Sequence, residues 1–216
     1  MNDLAPRHVF LTTDGKHVVT MDEWEGAGRL PLVIYGPRGE LKGVFSLDSL
    51  GVNPREVPDF FGAVRRSVGS IYWNRHAISF FGRHDATFCI WLPWGRLVIV
   101  DLNNGAILTE TDTGRLLERQ TSDWAALQAY GIERVRAIAT EYLVSEDPQK
   151  RITGVLAAGR LNMREAAPIL RRLLNDFHAI QVIRSGQPGW RYPVRTAAKR
   201  ALEAMGEEVG QVKEEE

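Results

Sequence analysis

Over the first 110 positions, apolar residues fall in short runs bounded by turn residues, and beyond position 122 they recur at intervals of three and four. The first pattern predicts β-strands and the second predicts helices. Strands are expected at 9–12 and 17–21, joined through Thr13-Asp14-Gly15-Lys16, where the Asp-Gly pair supplies the positive φ of a tight hairpin. A second pair, 32–35 and 41–45, is joined by the turn residues at 36–40. The order then repeats with strands at 77–81, 86–92, 96–101 and 106–109, turning at Gly82-Arg83-His84-Asp85, Pro93-Trp94-Gly95 and Asn103-Asn104-Gly105. Between the two passes, 50–70 contains Asn53-Pro54 and Val57-Pro58 and reads as an ordered linker with a short helical turn.

In the second half, Ser122 is expected to cap a helix starting at Asp123-Trp124, and a longer helix is expected over 132–143. Asp147-Pro148 opens another, with proline suited to a first helical turn, and 164–174 forms the next. The segments 151–162 and 195–206 match at a spacing of 44 residues: Arg151, Ala157, Leu161 and Asn162 correspond to Arg195, Ala201, Met205 and Gly206. Small residues at Ala157, Ala158, Ala197 and Ala198 allow close helix approach. The stretch 177–192 between the copies reads as a long inserted loop, and no clear second helix follows the second copy.

The paired helices resemble a HEAT-type repeat, in particular the short HEAT-like repeats of the phycobilisome-lyase type, which implies a scaffold for contact. The two strand passes resemble β-propeller blades of the WD-repeat kind, without the Trp-Asp ending. Two blades cannot close a ring, and an array of fewer than about three helical repeats needs a cap. The expected fold class is therefore α+β. An antiparallel β region of two blade-like four-stranded units (1–121) precedes a region of HEAT-like helical hairpins (122–206) and an acidic, flexible tail (207–216). The two small sheets are expected to bury their apolar faces against each other or against the helices.

Charge refines this picture. The 27 basic and 27 acidic side chains cancel, so no global field favours nucleic acid or an anionic membrane. Locally, 145–206 carries eleven Lys/Arg against five acids, and 207–216 carries five acids and Lys213. No apolar stretch reaches the length of a membrane span. The first residues lack the regions of a signal peptide, which leaves cytoplasm and export after signal removal both open. A single cysteine excludes an internal disulfide.

Recognisable catalytic spacing is missing. His8, His17, His76, His84 and His178 form no close ligand pair and read as surface or turn residues, although His84, Asp85 and His17 would share a site if their hairpins met at one end. Cys89 within a strand reads as a buried, inert thiol, and Asp22, Glu23 and Glu25 as a solvated loop. Asp101, Asn103 and Asn104 read as a hairpin turn rather than a calcium loop. No serine sits in a hydrolase elbow, and no cofactor or metal is implied. The aromatic residues Trp24, Tyr72, Trp73, Trp91 and Trp94 read either as core filling or, at Trp94, as a recognition platform.

The chain is expected to be a noncatalytic module that binds a protein partner, with contacts at Arg164, Arg171, Arg184, Trp190, Arg191 and Trp94. The alternatives are a nucleic-acid binder using the basic helical face and an enzyme with a pocket between the β and helical parts.

Overall fold

Hairpin turns set the topology of the N-terminal half. The structure is a computed structural model that describes residues 6–22, 24–26, 30–52, 65–67, 70–108, 124–184 and 187–215. It is an α+β protein dividing into two compact units, Met1–Ile132 and Glu133–Glu216.

In the first unit, β1 (His8–Leu11), β2 (Val18–Met21), β4 (Leu32–Tyr35) and β5 (Leu41–Phe45) form a four-stranded antiparallel sheet in the order β1-β2-β4-β5. A second antiparallel sheet joins β8 (Ile78–Phe81), β9 (Thr87–Trp91) and β10 (Leu97–Asp101), and Ile107 adds a bridge to Val100 at its edge. The expected turns are present. The Thr12 N–H donates to the His17 carbonyl across the Asp-Gly turn at 3.1 Å, and the Gly105 N–H donates to the Asp101 carbonyl at 2.9 Å.

The two sheets share one core. Val19, Met21, Leu32, Ile34 and Phe45 of the first meet Phe88, Ile90, Val98 and Val100 of the second, with Leu47, Leu50, Val52 and Trp73 filling between. The Phe10 and Phe88 rings lie 5.0 Å apart across this contact. Every residue of β9 is buried, so its other face must be covered too. On that face Leu97, paired with Trp91, touches Gly131 of α1 (Trp124–Leu143). A Cβ at position 131 would lie 2.5 Å from Leu97 Cδ2.

Several expectations are corrected here. The two helices expected on either side of position 131 are one 20-residue helix, because glycine at 131 weakens a helix without breaking it and permits the approach to Leu97. Ser122 lies outside the described residues, as do 53–64 of the expected linker and its helical turn. Its end at Arg65–Ser67 is strand β6, which pairs with β7 (Ser70–Tyr72). The latter also pairs with β3 (Trp24–Gly26), making a third sheet of order β3-β7-β6. Strands of three residues are too short for alternation to show.

The second unit takes the rest of α1 with α2 (Pro148–Arg160), α3 (Ala167–Leu173, preceded by a 3-10 turn at Arg164–Ala166) and α4 (Pro193–Ala204). Asp147 caps α2, accepting the Gln149 N–H at 2.8 Å. The helices α2 and α4 pack on one another through buried Ala157, Ala158, Ala197 and Ala198. They also terminate alike. Asn162 and Gly206 both adopt left-handed φ, and the next N–H in each case, from Met163 or Glu207, returns to the carbonyl of Ala158 or Leu202.

The stretch expected as an inserted loop is a β-hairpin, β11 (Ile180–Arg184) and β12 (Gln187–Arg191). The acidic segment expected as a flexible tail is tied back to it: the Tyr192 N–H donates to the Glu214 carbonyl at 2.9 Å, and Glu215 bridges Arg191.

Arg151 and Arg195, the equivalent arginines of the two copies, meet at Asp176. Arg151 Nε lies 2.8 Å from Asp176 Oδ2, and its Nη2 donates to Oδ1 at 3.1 Å. Arg195 Nε donates to the Asp176 main-chain carbonyl at 2.6 Å, and its guanidinium stacks over the Tyr192 ring. The Asp176 and Arg151 side chains are only 8% and 15% exposed, so removing one leaves a charge stranded in a poorly solvated place.

Asp176→Ala should therefore lower the unfolding free energy by about 3 kcal/mol. Glu165→Ala, at the exposed ion pair with Arg136, should cost less than about 1 kcal/mol. Equal losses in denaturant titrations of the two variants would contradict this assignment. A methyl group at Gly154 would come within 2.8 Å of both the Ala139 carbonyl oxygen and the Leu143 nitrogen, backbone atoms that yield only if the helices part. Although alanine favours a helix by roughly 1 kcal/mol, overpacking should win and Gly154→Ala should lose about 1–2 kcal/mol. The urea midpoint at constant slope reads the sign directly.

Candidate functional site

The hairpin of the second unit carries two exposed large apolar side chains on one face. In β11 and β12 the register pairs Gln181 with Trp190 and Ile183 with Pro188, and alternation places these four on one face of the hairpin. That face is uncovered: Ile183 is 78% and Trp190 47% exposed, and Phe177, just before β11, is 91% exposed. Ile183 and Trp190 thus stand diagonally on one face of a two-stranded element, which by itself is at best marginally stable in water. Arg184 ends β11, and its side chain lies outside the described residues.

The remaining predicted contact residues of this unit lie on three elements. Arg164 begins the 3-10 turn and is exposed. Arg171, in the last turn of α3, is exposed and paired with Glu207. Arg191 faces Glu215 at 3.9 Å. Sequence reading missed Ile183 and Phe177, because a stretch taken as a loop gave no reason to sort its residues by face. Lys199, one of the basic residues of the helical region, bonds Glu214 at 2.8 Å. That hydrogen bond raises the Lys199 ammonium and holds the Glu214 carboxyl below its usual range. Arg151 and Arg195, the equivalent arginines of the two copies, are internal ties to Asp176.

In the first unit, Trp94 is half-buried and packs against the shared core. Trp73 and Trp91 are buried, and Trp73 Nε1 donates to the Asp22 carbonyl at 2.9 Å. The side chains of Trp24 and Tyr72 lie outside the described residues.

Here the reading of Asp22 as solvated and of His17 and His76 as surface groups is corrected, since all three are buried. Asp22 follows a strand covered on both faces, which its neighbours in sequence do not reveal. Glu23 and the Glu25 side chain fall outside the described residues. Cys89 is buried as expected, and burial pushes its thiol up to about 12, far from a nucleophilic thiolate at neutral pH. The two turns that carry His17, His84 and Asp85 do meet: Asp85 Oδ2 accepts the Thr13 N–H at 2.6 Å. This holds the turns together, and no cluster of three or more potential metal-ligating side chains forms among the described residues. No helix among them is long and apolar enough to cross a membrane.

Burial, reinforced by the nearby positive charge of Arg75, lowers His76 from 6.5 to about 4. The folded protein thus binds fewer protons than the unfolded chain between these values. Stability present above pH 6.5 is lost as pH falls through that window. The loss attributable to His76 should reach roughly 3 kcal/mol by pH 4. It is read as the difference between the pH–stability curves of the native chain and His76→Gln, and parallel curves would exclude it.

No family model matches this chain, and no curated protein or solved structure matches it either.

Proposed function

We propose that this protein is a noncatalytic binding module for a protein partner, and that the hairpin β11–β12 is its principal contact element. The observation that carries this reading is the exposed apolar face bearing Ile183 and Trp190, with exposed Phe177 just before β11. Folding leaves these side chains in water, and large apolar side chains grouped on a surface, with tryptophan among them, are what interface centres are made of. Arg164 and Arg171 on the neighbouring helical segments are read as a charged rim. Arg184 and Arg191 complete the proposed contact set of this unit, and Trp94, which packs on the first unit's core, is proposed as a contact of that unit by itself.

The finer architecture belongs to the same reading. Matching ends of α2 and α4, their packing through alanines and the equivalent placement of Arg151 and Arg195 support a HEAT-like repeat. The strand order β1-β2-β4-β5, and β8-β9-β10 with its Ile107 bridge, supports two blade-like meanders. Contact with a macromolecule is the use to which such scaffolds lend themselves.

Binding of nucleic acid through the basic helices is the weaker reading, since Arg171, Arg191 and Lys199 already face carboxylates of the chain. An enzymatic reading loses Cys89 as a nucleophile. The test is capture of partners from the native organism by the immobilised chain, compared with Ile183→Ser/Trp190→Ser and with Arg164→Glu/Arg171→Glu. Both double variants should keep the native circular dichroism spectrum and lose the same partner. Retention of every partner by both variants would sink the proposal, as would salt-sensitive retention of DNA or RNA in place of any protein.

A further inference from the structure

The acidic segment does more than neutralise charge. Glu207 pairs with Arg171, Glu214 with Lys199 and Glu215 with Arg191, while the Lys213 carbonyl accepts from Arg195 Nη1 at 3.3 Å. Alongside these side-chain pairs runs a main-chain contact, the Tyr192 N–H to the Glu214 carbonyl, with Glu215 bridged antiparallel to Arg191. The segment thereby adds to the outer edge of β12 in the manner of an incoming strand. Four cations from α3, β12 and α4 converge on nine residues of extended chain.

We propose that this face, formed by Arg171, Arg191, Arg195, Lys199 and the outer edge of β12 at Arg191–Tyr192, is a docking surface for an extended acidic segment of a partner protein. Residues 207–215 occupy it in cis. This deepens the binding-module reading by naming the chemistry of the partner, and it rests on that reading. The main-chain pairing decides between the two anionic classes. A peptide offers carbonyl and N–H groups to a strand edge, whereas a nucleic-acid backbone offers phosphates alone. Charged pairs on an exposed surface are individually weak. An external acidic strand can therefore replace the internal one, the cis segment raising the threshold through its high effective concentration.

The probe is a fluorescein-labelled peptide carrying the chain's own residues 207–216, followed by fluorescence anisotropy. The full-length variant Glu207→Gln/Glu214→Gln/Glu215→Gln should bind it roughly tenfold or more tightly than the native chain, which keeps its own segment in place. Adding Lys199→Glu to that variant should abolish binding, and an ester in place of the Glu214–Glu215 amide, which weakens the carbonyl that accepts from the Tyr192 N–H, should reduce it. A chain ending at Gly206 provides a second route to the open face, with circular dichroism checking its fold. No gain in affinity in either open form overturns the proposal. So does equal binding of the ester-containing peptide, or tighter binding of single-stranded DNA of matched charge. Ile183→Ser/Trp190→Ser should leave peptide binding unchanged, which separates this surface from the apolar face of the hairpin. Partner capture that depends on Ile183 and Trp190, with no peptide binding by the open forms, would leave the binding-module reading intact and sink this one.

Discussion

A single carboxylate sets the geometry of the helical unit. Asp176 stands just beyond α3 and receives an arginine from each of the two matched helices, one at its side chain and one at its main-chain carbonyl. Its Oδ1 also accepts the His178 N–H at 2.9 Å, so the same residue fixes where the chain departs towards β11. A charge as enclosed as this one needs partners on every side. The carboxylate takes Arg151 from the first turn of α2 and the carbonyl of the same residue takes Arg195 from the first turn of α4, which draws the two helix starts to one residue. On the return side, Arg195 stacks on Tyr192, immediately after β12. The hairpin is thus held at both of its roots, and an element that would be marginal alone presents its apolar face in a defined place.

The first unit is organised by different means. Its sheets meet across a shared apolar core, and their turns are tied by polar contacts: Thr13 to Asp85, and Arg96 to the Gly51 carbonyl. Its unusual polar and reactive groups, Asp22, His76 and Cys89, are enclosed rather than offered to solvent. The chemistry of these groups is therefore expressed through stability. In the second unit, charged side chains and the apolar side chains of Ile183 and Trp190 remain at the surface around an ordered framework.

Much of this was legible in the residues, and the exceptions share a cause. The Asp14-Gly15 and Asn104-Gly105 pairs predict hairpins because positive φ is costly for most other residues, and both hairpins are present. The spacing of Arg151 and Arg195 predicts equivalent helices, and α2 and α4 pack against each other and end alike. What local pattern cannot carry is pairing over distance. The strand Trp24–Gly26 exists through its partner Ser70–Tyr72, more than forty positions away. The hairpin at Ile180–Arg191 hides behind Pro188 and Gly189, residues that ordinarily argue against a strand. The same holds at the candidate site. Trp190 is recognisable as a contact residue by type, but the role of Ile183 depends on register, and the partners of Lys199 and Arg191 come from the acidic end of the chain.

Proline at 188 has a further meaning. Along β12 the outward-facing positions alternate: the Tyr192 N–H is engaged by Glu214, Trp190 is the next position outward, and Pro188 follows with no hydrogen to give. An uncovered hairpin bearing isoleucine and tryptophan would otherwise be a template on which strand after strand could add, chain to chain, until it left solution. Here the ladder is interrupted within a few residues, and carboxylates guard its open end. Along this edge of β12, adhesiveness is held to the few residues beyond Pro188.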